Sequence, residues 1–171
     1  TAIGFAATPF SLMSGEPAQS NGDILVIASP QIDLLAGEVD QLADYLDKGG
    51  NLLWLVDSGE ALYELQPIAE RLGIGFIPGI IVDPQAKQLN APFTFALGVD
   101  YQPHAVTQQF DFITVFPFAR VLLVEDNSQW QRTVLVEVAP QGWVDAASEV
   151  TDIPEFNAET DIKGPFGVAV A

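Results

Sequence analysis

Two short, unbroken apolar runs near the start of the chain place the strongest limits on its fold. Residues 24–28 and 52–56 are apolar throughout, which is typical of strands buried on both faces of a parallel sheet. Between them, residues 38–48 carry apolar side chains at helical spacing, namely Val39, Leu42, Ala43 and Leu46. Gly49 and Gly50 follow and predict the end of that helix. This order predicts a parallel strand–helix–strand unit.

The pattern then repeats, which predicts an α/β fold. Ser58 is placed to cap a second helix that ends at Gly73 and is interrupted by Pro67. Residues 76–82 form the expected third strand. Short connections between alternating strands and helices favour right-handed crossovers, and hence a mainly parallel sheet flanked by helices.

The second half of the chain is less regular. Residues 85–109 are rich in Pro, Asn and Gln and predict a long loop with at most a short strand. Strand composition returns at residues 113–124 and 133–138, and a last apolar strand is expected at residues 166–171. We therefore expect one α/β domain over residues 1–171, with an irregular, partly β second half.

Composition excludes several classes of function. The chain has 23 acidic and 6 basic residues, and its net charge of −17 repels nucleic acid and anionic lipid. We interpret this acidity mainly as a solubility feature, with attraction of a basic partner or of cations as the alternative. The absence of cysteine excludes disulfides, thiolate metal sites and a cysteine nucleophile. No run approaches the roughly 20 apolar residues of a membrane span, and both ends are apolar, so we expect a piece cut from between membrane segments.

Polar side chains gather where the predicted strands end. Ser29 and Gln31 follow the first apolar run, Asp57 and Ser58 follow the second, and Asp83 follows the third. Ligands of open α/β sheets bind outside the carboxyl ends of the strands. The sequence therefore predicts a ligand or partner site at Ser29, Gln31, Asp57 and Ser58, with helix capping and turn formation as the alternative explanation.

Catalytic patterns are weak. A hydrolase would have to pair Ser29 or Asp57 with His104, the only histidine, and Ser29 lacks the Gly-x-Ser-x-Gly elbow. His104 is instead predicted to hydrogen-bond backbone or a neighbouring carboxylate in a structural role. Neither a Walker A sequence nor a Gly-x-Gly-x-x-Gly fingerprint is present, so neither nucleotide hydrolysis nor a bound cofactor is expected.

Metal and sugar binding are the remaining alternatives. Four carboxylates lie close together in sequence, namely Asp152, Glu155, Glu159 and Asp161. They lack the spacing of a calcium loop, so no metal site is predicted. Trp130 and Trp143 could stack on a sugar if they are exposed beside a cleft, whereas Trp54 belongs to a predicted buried strand.

An ordered set of segments extends over nearly the whole chain. It begins with Asp23-Ile-Leu-Val-Ile-Ala-Ser-Pro-Gln31 and ends with Asp161-Ile-Lys-Gly-Pro-Phe-Gly-Val-Ala-Val-Ala171. Between these two it includes Glu38 and residues 45–57, 72–74, 78–84, 90–93, 101–107 and 115–120. In this order the set resembles the auxiliary components of ABC transport systems associated with gliding motility.

The resemblance implies a flavodoxin-like or class I glutamine amidotransferase-like domain without the catalytic cysteine. Such a domain would lie on the extracytoplasmic, periplasmic face of the inner membrane, within a membrane-anchored protein that acts with an ABC permease and its ATPase. No catalytic residues are implied. The family's domain begins with a further strand and with a helix ending in Gly-Phe, which Gly4 and Phe5 match. We therefore expect the first strand and most of the first helix to be missing here.

We thus predict a non-catalytic binding or scaffolding domain, with homo-oligomerisation left open. The alternatives are a degenerate amidotransferase-like hydrolase and a carbohydrate-binding module.

Overall fold

The computed structural model describes residues 6–14, 23–56, 59, 61–125, 129–145 and 154–171. The chain divides into two compact units, residues 1–55 with 63–68 and residues 56–62 with 69–171. The second helix has residues in both units. None of the described helices is long and apolar enough to cross a membrane.

The first unit contains a parallel two-stranded sheet and one helix of three turns. Strands β1 (Ile24–Ala28) and β2 (Asn51–Leu55) flank helix α1 (Ala36–Asp47), and a 3-10 turn lies at Leu12–Ser14. The two strands pair in parallel with Ile24 opposite Asn51, as the apolar runs predicted. The buried side chains of α1 are Val39, Leu42, Tyr45 and Leu46.

Local hydrogen bonds fix the ends of α1. The Glu38 carboxylate accepts the backbone N–H of Leu35 at 2.8 Å, which pairs one of the free donors at the helix start. At the other end the Gly50 N–H donates to the Tyr45 carbonyl at 3.0 Å, and Gly49 has a positive φ of 81°. The Tyr45 hydroxyl then donates to the Asn51 carbonyl at 2.9 Å, tying the helix to the start of β2.

The expectation that β1 and β2 are buried on both faces is wrong. Alternate residues are exposed along both strands, and Ile24, Val26, Leu53 and Leu55 share the exposed face. The residues between them, including Leu25 and Trp54, are half-buried. An apolar run cannot reveal this difference, because side chains on both faces of such a strand are apolar whether or not both faces are covered.

The second unit is built from antiparallel strands. A four-stranded sheet has the order β11 (Phe166–Val170), β8 (Val134–Val138), β5 (Phe95–Tyr101), β6 (Thr114–Pro117). A three-stranded sheet has the order β10 (Ile162–Lys163), β9 (Trp143–Asp145), β4 (Ile80–Val82), and β3 (Ile74–Ile77) pairs with β7 (Val121–Val124). The hydrophobic core of the second unit includes Ile81, Ala96, Val138, Val144 and Phe166.

The predicted fold class is therefore wrong. The described strands pair mostly in antiparallel fashion, and β1 with β2 is the one parallel pair among them, so the chain is not a flavodoxin-like or class I glutamine amidotransferase-like α/β domain. The prediction failed at residues 76–82. Pro78 and Gly79 divide this stretch into β3 and β4, which pair with β7 and β9 rather than with the parallel strands.

The remaining differences lie around this break. Helix α2 is short, Gln66–Leu72, and Pro67 lies in its first turn, where its missing N–H is tolerated, instead of kinking a longer helix. The predicted loop over residues 85–109 contains a 3-10 helix, Pro84–Leu89, and the seven-residue strand β5. Residues 113–124 form two strands, β6 and β7.

Candidate functional site

The loop after β1 is the described part of the predicted strand-end site. Ser29 follows β1 directly and has a positive φ of 43°, and its N–H donates to the Leu55 carbonyl at 3.3 Å. The exposed Gln31 side chain donates to the Ser29 carbonyl at 3.0 Å. Asp57 and Ser58 lie outside the described residues. Ser29 and the end of β2 therefore meet at the carboxyl edge of the parallel pair, where a site was expected.

Aliphatic side chains project from this loop. Ile32 is 79% exposed and Leu35, just before α1, is 57% exposed, with the exposed carboxylate of Asp33 between them. We call Ser29, Gln31, Ile32, Asp33 and Leu35 the strand-end surface. Exposed aliphatic groups beside polar ones are typical of protein–protein contact surfaces.

Asp83 does not belong to an exposed strand-end site. It is fully buried in the second unit, where one carboxylate oxygen accepts the Gln85 N–H at 2.9 Å and the other accepts the Leu97 N–H at 3.0 Å. The carboxylate thus caps the 3-10 helix Pro84–Leu89 and joins it to β5. Its role is structural.

An open pocket lies in the loop between β5 and β6. It has a volume of about 390 Å³ and is lined by residues 101–104 and 107–111. The loop is built on His104, whose carbonyl accepts the N–H groups of Thr107 and Gln108 at 3.1 and 2.8 Å. The Thr107 hydroxyl donates to the Gln102 carbonyl at 2.6 Å. These bonds fold the loop into a turn around the pocket.

The Tyr101 hydroxyl closes this loop. It lies 2.8 Å from the Gly98 carbonyl oxygen, 2.9 Å from that of Phe112 and within hydrogen-bond distance of the Thr114 hydroxyl, and it accepts the Thr114 N–H at 3.1 Å. Its ring packs edge-to-face on Phe110 at 5.1 Å between centroids. The phenol therefore joins the two ends of the loop that forms the pocket.

Replacing Tyr101 with Phe should loosen this loop without unfolding the sheet. The ring contact with Phe110 is kept, but the Thr114 N–H loses its acceptor, so we expect a loss of about 1–2 kcal/mol. Amide hydrogen exchange should accelerate at Thr107 and Gln108 and stay unchanged in β8. Equal acceleration at both places would show that the phenol supports the whole unit rather than the loop.

His104 is held in the way predicted for a structural residue. Its Nδ1 accepts the Val106 N–H at 3.2 Å, so this nitrogen carries no proton in the bonded form. A histidine in a hydrolase triad instead donates from Nδ1 to an orienting acid. The geometry of His104 thus gives the hydrolase alternative no support.

Within the described residues the metal alternative lacks the expected geometry, and the pocket between β5 and β6 gives the sugar alternative no support. Asp161 accepts hydrogen bonds from the Asn157 N–H at 2.8 Å and the Thr160 hydroxyl at 2.9 Å, which makes it part of a turn. Across the described part of the chain, no three potential ligands are grouped for a metal ion, and Asp152 lies outside it. Neither Trp130 nor Trp143 lines the pocket between β5 and β6.

The pocket was missed at the level of sequence. The sequence predicts a long loop with at most a short strand over residues 85–109, and it singles out His104 there but no pocket. The available signal was Tyr101 at the end of an apolar stretch, followed by a segment rich in glutamine and containing Pro103. A buried tyrosine needs a partner for its hydroxyl, so such a residue indicates a loop that folds back on it.

The chain therefore has two surfaces suited to binding. One is the exposed apolar loop in the first unit, and the other is the open polar pocket in the second. The chain belongs to the family described as "ABC-type uncharacterized transport system", whose model matches residues 4–171. Members of this family are auxiliary components of ABC-type transport systems. This confirms the resemblance to ABC transport auxiliary components, while the association with gliding motility stays a prediction.

Structural comparison gives the fold alone. Four chains of solved structures match, and one of them is titled "mmIFT52 N-terminal domain". It aligns with a TM-score of 0.54 and 22% sequence identity, over 67% of this chain and 54% of that chain. This chain therefore spans about half of that relative. No curated protein matches the sequence.

Proposed function

We propose that this chain is a non-catalytic, extracytoplasmic binding and scaffolding domain of an ABC transport system of the gliding-motility type. It acts as one domain of a membrane-anchored protein, on the periplasmic face of the inner membrane, and it contacts the permease and through it the ATPase. The family match supports the transport context. The observation that carries the binding role is the exposure of Ile32 at 79% on a loop ordered by hydrogen bonds.

The strand-end surface is the part that we assign to the permease. Its aliphatic side chains lie on a short loop between β1 and α1. Because both ends of this loop are fixed by regular elements, the position of the surface is also fixed. Burial of such a side chain at the centre of an interface contributes more than contacts at its rim. We include Ser29, Gln31, Asp57 and Ser58 in this assignment, because all four follow the parallel strands in sequence.

Charge favours a basic partner over a second copy of the chain. Lys48 is the only Lys or Arg in the first unit, whereas Asp33 lies in the loop and Glu38 and Asp40 follow it in α1. Two copies would bring like charges together, whereas a permease segment with an apolar patch flanked by lysine or arginine would complement the surface. Association should then be faster at low salt.

Replacing Ile32 with Ser should weaken assembly. The side chain is exposed, so the change should alter stability by no more than about 0.5 kcal/mol, yet loss of a central apolar contact lowers affinity about tenfold. The full-length protein would be co-expressed with its permease and ATPase, solubilised in detergent and recovered through a tag. We expect much less permease and ATPase to be recovered with the variant.

The matched control is Ile162→Ser in β10. Ile162 is 48% exposed and is not one of the residues assigned to the permease contact, so it receives the same chemical change outside that assignment. Recovery should stay at the level of the unchanged protein. Equal losses in both variants, or none in either, would remove the strand-end surface from the assembly.

A further inference from the structure

The pocket between β5 and β6 has a lining that suits one class of ligand. No Lys or Arg lines it, whereas Asp111 contributes a carboxylate and Gln108 and Gln109 contribute amides. Asp111 is exposed, and none of the described residues forms a hydrogen bond or ion pair with its carboxylate. An anionic ligand would meet this carboxylate without a lysine or arginine to offset the repulsion. The lining therefore favours a cationic ligand or a neutral one.

Aromatic rings form the apolar part of the pocket. Phe110 lines it, is 41% exposed, and is fixed edge-to-face between Tyr101 at 5.1 Å and Phe112 at 5.7 Å. The face of an aromatic ring attracts an organic cation through the negative charge density of its π electrons. A carboxylate next to a fixed ring is thus the combination that recognises substituted ammonium groups. A metal ion would need several oxygen ligands instead.

The loop is ordered before any ligand arrives. The hydroxyl of Tyr101 joins Gly98, Phe112 and Thr114, and the bonds made by Thr107 and His104 shape the turn. Little conformational entropy is then lost on binding, so a small ligand can be held by few contacts.

We infer that this pocket binds an alkylammonium cation, with the cationic head against Phe110 and Asp111. The amide oxygens of Gln108 and Gln109 are further acceptors for N–H or O–H groups of the ligand. This function is separate from contact with the permease, because none of the residues that line the pocket is assigned to that contact.

The test compares a cation with its uncharged equivalent of the same shape. Choline and 3,3-dimethylbutan-1-ol differ in that a carbon replaces the nitrogen. Each would be titrated into the 171-residue chain, and binding followed through the backbone amide NMR signals of residues 101–111. We expect millimolar binding of choline at the pocket and at least about tenfold weaker binding of the alcohol, the ratio set by the cation–aromatic and charge contributions.

Two substitutions that remove the same charge separate local recognition from the general field of an acidic chain. Asp111→Asn should weaken choline binding about tenfold, whereas Asp100→Asn, at an exposed position on β5 outside the lining, should leave it within twofold. Equal binding of choline and the alcohol would show a neutral-ligand site and overturn the inference. Equal effects of the two substitutions would also overturn it. So would the absence of choline binding at choline concentrations above about 10 mM and in roughly 50-fold molar excess over the chain.

Discussion

Replacing Asp83 with Ala is expected to destabilise the second unit by about 3 kcal/mol. The carboxylate is fully buried, and its two oxygens accept the N–H groups of Gln85 and Leu97. Without the side chain, both donors lose their partner, and the Leu97 N–H is buried where water cannot replace it. Urea unfolding of the chain, followed by circular dichroism, should show a lower midpoint at an unchanged slope.

Two comparison variants show whether the hydrogen bonds cause this loss. Asp83→Asn keeps one acceptor oxygen but turns an N–H₂ group toward the other donor, so it should also destabilise. Asp100→Ala removes an exposed carboxylate from β5 and should change stability by less than about 0.5 kcal/mol. If Asp83→Ala is as stable as Asp100→Ala, the carboxylate does not support the junction between the 3-10 helix and β5.

A second large effect is expected at Gly79, the corner between β3 and β4. Its φ is +112°, which side chains rarely adopt, and a methyl group would overlap the Asp145 carbonyl and approach the Val144 side chain to 2.6 Å. Gly79→Ala should therefore destabilise the chain by about 3 kcal/mol through strain and displacement of β9. Thermal unfolding should show a midpoint lowered by roughly 6–12 °C.

Gly37 provides the control for this substitution. It lies in the first turn of α1, and an added methyl group would meet nothing within 4 Å. Gly37→Ala should stabilise the chain by about 0.5 kcal/mol, because alanine loses less backbone entropy in a helix. If both variants moved the midpoint in the same direction, the corner at Gly79 would not be under the steric constraint described.

The first unit was predictable because its signals are local. The apolar spacing of residues 38–48 and the two glycines after it place α1 within two residues of its position, and the flanking runs became β1 and β2 in parallel pairing. The antiparallel arrangement of the second unit was not predictable in the same way. Strands β3 and β4 find their partners in β7 and β9, far along the chain, and nothing within residues 74–82 specifies these pairings.

Among the site residues, too, those positioned by local sequence could be predicted, and those positioned by distant parts of the chain could not. Ser29 lies at the carboxyl end of β1 as predicted, because a strand end can be located from the sequence. Asp83 also follows a strand, yet its side chain is buried, since the acceptor pattern that holds it depends on where β5 passes. The pocket depends on a single phenol that joins both ends of its loop, and composition does not predict this contact.

The exposed aliphatic face of β1 and β2 gives the acidic composition a second meaning. Such an exposed apolar face on a two-stranded sheet is prone to self-association. A net charge of −17 opposes that by keeping copies apart. This repulsion reaches only about 8 Å at physiological ionic strength, so colloidal stability is strongest in dilute buffer and declines as salt is added. The surplus of carboxylates thus offsets the tendency of the apolar face to self-associate. Neutralising these carboxylates would allow the chain to associate through that face.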